Sequence, residues 1–162
     1  MLESINLWFQ TTAVGEFLWT MLVSMVPVIE LRGGLPIGVA MGLPLWVAFV
    51  AAVIGNMMPV PFIILFVRRV FFWIRQKLPR LHHFIDKLER RAEDKQELIL
   101  KYKTWGLLIL VAIPLPGTGA WTGALVAALM DLRMKKALPA IFGGVVVAGL
   151  IISVITYGVT AL

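Results

Sequence analysis

Glu30 and Arg32 stand two positions apart in the stretch PVIELRGGLPIG, residues 27–38, between prolines and inside one of the most apolar parts of the chain. A guanidinium is a planar fork that holds phosphate or carboxylate oxygens through two parallel N–H bonds. A carboxylate in such a setting either braces that guanidinium or carries a proton beside it. Both readings stay open on the sequence alone. A second stretch, AIPLPGTGAWTG at 112–123, offers no charge, but it brings two prolines, three glycines, Thr118, Trp121 and Thr122 together in an equally apolar run.

These residues need elements to hold them, and composition says what kind. The 162 residues are 60% hydrophobic with a mean hydropathy of +0.91, which places the chain among membrane proteins. The start Met1-Leu-Glu-Ser-Ile-Asn carries no Lys or Arg ahead of its apolar residues, so we expect it to be retained rather than cleaved as a signal peptide. With no cysteine there is no thiolate chemistry and no Cys-based zinc site. The net charge of +6 is read as a topology signal facing anionic lipid, not as a nucleic-acid footprint.

The placement of charge supports that reading. Of fifteen basic residues, eleven lie between Arg68 and Lys103, three lie in the patch Asp131–Lys136, and Arg32 stands apart. Four plain spanning helices would put the two basic clusters on opposite faces, against the positive-inside rule. If residues 104–130 enter and leave from one face, both clusters are cytoplasmic. The prolines agree, since Pro27 and Pro36 in the first block and Pro114 and Pro116 in the second remove helical donors, and Gly33, Gly34, Gly117 and Gly119 loosen the backbone. The arms Phe17–Val26 and Trp105–Ile113 are each about 15 Å long at ~1.5 Å per residue, half of a ~30 Å hydrocarbon core.

Laying Pro27 on Pro114 aligns the two hairpins and brings Gly55-Asn56 within one position of Gly143-Gly144. The expected fold is an all-α integral membrane protein, one membrane domain over 1–162. It comprises an N-terminal segment (1–15), a first repeat (16–74), a charged linker (75–103) and an inverted second repeat (104–162). Each repeat is a re-entrant broken hairpin followed by one spanning helix, and both termini face outward. In the linker, Leu78, Leu81, Phe84, Ile85 and Leu88 recur at helical spacing, so a cytoplasmic amphipathic helix is expected. His82 and His83 are adjacent, which turns them to different faces of a helix and argues against a metal site.

A helix broken inside a membrane exposes backbone donors where its second arm begins. We expect these to come from the Gly33-Gly34-Leu35 region, with Pro36 early in the new helix, and from Gly117 to Trp121, with Thr118 as N-cap. Two such N-termini together with Arg32 describe an anion site. Asn56, just before Met57-Met58-Pro59-Val60-Pro61, caps a kink or lines the pathway. No paired catalytic carboxylates and no Ser beside a base are present, so an enzyme is not expected. No cofactor or metal is expected either. Gly143-Gly144 and Gly149 offer close-packing surfaces for a homodimer.

The two motifs ELRGGLP and IPLPGTGAWTG, each in a hairpin followed by a span, resemble the small multi-drug export protein family over Glu16 to Gly158. That family is similar in architecture to the DedA superfamily of VTT-domain proteins. The DedA resemblance implies inverted repeats and a bacterial inner-membrane protein, of a kind some of whose members move phosphate-bearing lipid carriers with ion coupling. It further implies that Glu30 and Arg32 are the acidic and basic members of the first hairpin. DedA proteins carry an arginine in the second hairpin, and residues 114–123 here have none. The second half would therefore contribute backbone N–H groups and Thr118 or Thr122. The expected function is a transporter or flippase for an amphipathic anion, most directly a lipid phosphate; the alternative is a drug/proton exporter in which Glu30 binds lipophilic cations.

Overall fold

The computed structural model describes residues 12–77, 82–93, 104–115 and 117–160, and among these every regular element is helical. The helices are α1 (Ala13–Met25), α2 (Glu30–Ala40), α3 (Leu45–Met57), α4 (Pro59–Lys77), α5 (His82–Glu93), α6 (Thr104–Ala112), α7 (Ala120–Leu129) and α8 (Met134–Thr160). They divide into two compact units, one of Met1–Met58 with Val145–Leu162 and one of Pro59–Gly144. The N-terminal segment 1–11, Pro116, and the linker positions Leu78 and Leu81 lie outside the described residues, as does the 94–103 part of the linker.

Two stretches are long and apolar enough to cross a membrane, Leu45–Val67 and Met134–Gly158. Only about a third of the most apolar part of each stretch is buried. A core helix of a soluble domain would hide such a surface, whereas Trp46, Phe62 and Val154 here are largely exposed, as lipid-facing residues are.

In the first unit, α1 and α2 form an antiparallel helical hairpin. Ser24 faces Gly34 and Thr20 faces Gly38, so position numbers fall on one helix as they rise on the other. The hydroxyls of Thr20 and Ser24 each donate back to the carbonyl four residues earlier, at 2.7 Å, to Glu16 and Thr20. With those protons satisfied, the side chains can be buried against glycine without an orphan group. The Gly34-x-x-x-Gly38 spacing lets the two backbones approach, as small-residue pairs do between membrane helices. α3 packs on both arms. Gly55 lies against the Met21 carbonyl of α1, and Gly38 against Ala48. From α8, Gly149 fits against Phe49 and Leu31.

In the second unit, α7 packs on α4, α5 and α6. Gly123 of α7 sits against Val111 and Leu107 of α6, and Gly144 of α8 against Val111 and the Leu108 carbonyl. The glycines read as self-association surfaces, Gly143, Gly144 and Gly149, thus serve packing within the chain. The amphipathic linker helix is present as α5. Ile85 is fully buried and Leu88 half-buried, while Asp86, Lys87 and Arg90 are exposed.

The two units share a local device. At the end of α2, Leu43 N–H donates to the Gly38 carbonyl and Gly42 N–H to Val39. At the end of α7, Leu132 N–H donates to Ala127 and Asp131 N–H to Ala128. Both are Schellman caps, with the residue after the C-cap at positive φ, 114° at Gly42 and 56° at Asp131. The next helix starts at Leu45 in one case and Met134 in the other. A Schellman cap followed by an apolar helix therefore occurs in each unit.

Candidate functional site

The first break falls at Val26–Ile29, around Pro27. Val26 N–H donates to Val23 at 3.1 Å, Glu30 N–H to Val26 at 3.0 Å, and Gly33 N–H to Ile29 at 3.0 Å. Val28 and Glu30 adopt positive φ, 81° and 51°. A β-branched residue in that region costs on the order of 1–2 kcal/mol, and Val28 is 95% exposed at the tip. α2 then starts at Glu30, earlier than the sequence indicates. Gly33, Gly34, Leu35 and Pro36 are therefore interior helical positions, and the expectation that the region 33–35 presents donors, with Pro36 early in the helix, is corrected. Propensity disfavours this course, since Gly costs about 1 kcal/mol and Pro about 3 kcal/mol in a helix interior. In an apolar setting the alternative is unsatisfied backbone, which costs more. Gly34 repays its flexibility by admitting Ser24, and Pro36 denies the Arg32 carbonyl its usual i+4 donor.

This early start puts Glu30 at the first and Arg32 at the third position of α2. A carboxylate there is stabilised by the helix N-terminus. Glu30 is 4% exposed, whereas Arg32 is only partly buried, and the Glu30 charge acts on the guanidinium. Leu31 and Leu35, both fully buried, fix this part of α2 in the core.

The second break runs from Ile113 to Gly119. The Thr118 hydroxyl donates to the carbonyls of Ile113 at 2.7 Å and Leu115 at 2.8 Å. Thr118 thus closes the end of α6, and the N-cap of α7 is Gly119, which makes no side-chain cap. That corrects the N-cap expectation for Thr118, because α7 starts at Ala120 and its N-cap position falls on Gly119; the Thr118 hydroxyl donates instead to carbonyls left over at the end of α6. Gly117 and Gly119 have φ of 78° and 122°, conformations that favour glycine. Since α7 begins at Ala120 and Gly123 N–H already donates to Gly119, the first-turn donors are those of Ala120, Trp121 and Thr122. Trp121 and Thr122 are half-buried, Pro114 is half-buried, and Gly117 is exposed. Elsewhere, His83 is exposed.

Asn56, on α3 of the first unit, is 3% exposed, and its Oδ1 has no hydrogen-bond partner among the described residues; Ser153 Oγ on α8 is in the same position. Buried Thr20 and Ser24 were not singled out by sequence reasoning. Their signal was a shared spacing of four, matched by Gly34 and Gly38 on the partner arm.

A family model described as "Putative small multi-drug export protein" matches residues 30–151, well over half of the chain. The match begins at Glu30, the first residue after the first break, and includes the second break. No curated protein and no solved structure matches.

Proposed function

The chain belongs to the small multi-drug export protein family, and from that premise we propose that it is a membrane transporter that binds an amphipathic anion at Arg32 and uses Glu30 as a titrating counter-charge. The observation that carries this reading is the unequal burial of the pair. Glu30 is 4% exposed and Arg32 only partly buried, so an arriving ligand meets the guanidinium first. Around it the tip presents apolar surface in Val26, Val28 and Ile29, suited to the tail of an amphipathic molecule. A lipid phosphate combines both features: oxygens that a guanidinium binds bidentately, and a chain that stays in the hydrocarbon.

In the empty protein Glu30 satisfies Arg32. When the anion takes its place, Glu30 accepts a proton, since a second uncompensated charge in that interior is costly. Proton uptake and anion binding are thereby linked.

A second reading is favoured by the family's description as multi-drug export proteins. In it Glu30 binds a lipophilic cation, and its carboxylate has to be uncovered first. Reconstituted vesicles separate the two. Transport of a polyprenyl phosphate, lost in Arg32→Gln, supports the anion. Transport of a lipophilic cation that survives Arg32→Gln and is lost in Glu30→Gln overturns it.

A further inference from the structure

We propose that the turn Gly55-Asn56-Met57 of α3 binds a monovalent metal cation, sodium or potassium. The proposal is independent of Arg32 and goes beyond the anion reading. Its first support is Asn56, whose side-chain oxygen is buried with no hydrogen-bond partner among the described residues, on a residue 3% exposed. A buried amide oxygen of this kind calls for an explanation, because such groups are almost always bonded.

The second support is independent and comes from the backbone. A helical carbonyl accepts the N–H four residues ahead. For Gly55 that residue is Pro59 and for Met57 it is Pro61, and neither has an N–H to give. Met58 N–H compensates weakly, shared between Ile54 at 3.1 Å and Gly55 at 3.3 Å. The Asn56 oxygen is thus unbonded, the Gly55 carbonyl keeps only the long, shared bond from Met58, and the Met57 carbonyl lacks its usual i+4 donor. A fourth oxygen lies nearby, because Gly55 brings the Met21 carbonyl of α1 so close that any Cβ at 55 would collide with it.

Several neutral oxygens with too few donors are complemented by a group that offers positive charge and no lone pair. Carbonyl and amide oxygens at an interrupted membrane helix replace the hydration shell of sodium or potassium in this way. The glycine keeps the α1 carbonyl within reach, the prolines keep the α3 carbonyls available, and Asn56 adds an oxygen that is not part of the ladder.

The test uses the purified full-length chain in detergent, unfolded thermally in NaCl, KCl or choline chloride at equal ionic strength. One of the two metal cations should raise Tm saturably, by about 3–6 °C at roughly ten times its half-saturating concentration. Asn56→Leu should abolish that rise, and in choline should be at least as stable as wild type because it removes the unbonded oxygen. Asn56→Asp keeps an oxygen and adds charge, so its half-saturating concentration should fall about tenfold or more. Identical Tm values for wild type in the three salts would overturn the proposal, as would an undiminished rise in Asn56→Leu or an unchanged half-saturation in Asn56→Asp.

Discussion

Gly38 lies against Thr20: a Cβ on Gly38 would sit 2.6 Å from the Thr20 hydroxyl oxygen and 3.1 Å from the Ala48 Cβ. One turn away, Gly34 meets Ser24 in the same manner. The first hairpin is therefore closed by two glycines on one arm against two hydroxyl residues on the other. Because α2 carries Glu30 and Arg32 at its start, this seam sets the position of the charged pair.

Gly34→Ala should destabilise the protein by about 1–3 kcal/mol, the usual cost of overpacking. The nearest obstacle is Ser24 Oγ, so adding Ser24→Ala should recover part of the loss. Thermal unfolding of the two single variants and the double variant measures the coupling; strict additivity would mean that the two residues do not meet.

Arg32→Lys keeps the charge but loses the planar fork. If the anion is held bidentately, its affinity should fall about tenfold or more, since one charge-assisted hydrogen bond is worth ~1.5–3 kcal/mol. Binding of a short-chain lipid phosphate, measured by titration calorimetry, checks this. Equal affinity in the two proteins would reduce Arg32 to a point charge.

Glu30→Gln keeps the size and hydrogen-bonding capacity of the side chain but cannot titrate. It should bind the anion at least as well as wild type, because it no longer competes for Arg32, while transport in vesicles becomes insensitive to an imposed proton gradient. Transport by Glu30→Gln that responds to the gradient as wild type does would leave the pair as structural bracing.

Lys87 on α5 and Lys135 at the start of α8 are both exposed, and both belong to the second unit. If residues 104–130 enter and leave the membrane on one face, cysteines at 87 and 135 should react with an impermeant maleimide from the same side of intact cells. The chain has no cysteine of its own to confuse the assay. Labelling from opposite sides would mean that this stretch crosses the membrane.

The sequence by itself determined the features set by local composition. Charge-free runs marked the two long helices. Pro27 and Pro114 marked both helix breaks within a residue or two, because a missing N–H and a fixed φ act wherever proline stands. Ile85 and Leu88 marked the inner face of α5 by their spacing. Tertiary structure decided which local breakers actually break. Gly33, Gly34 and Pro36 look like a helix end, yet they lie inside α2, because a buried apolar backbone must bond to itself and the glycines meet Ile29 and Ser24 closely. Thr118 has the chemistry of an N-cap, but the course of the loop puts the cap position on Gly119 and brings the carbonyls of Ile113 and Leu115 within reach of the Thr118 hydroxyl. The unequal burial of Glu30 and Arg32 and the unbonded oxygen of Asn56 depend on which neighbours arrive from distant positions in the chain, and no local pattern encodes that.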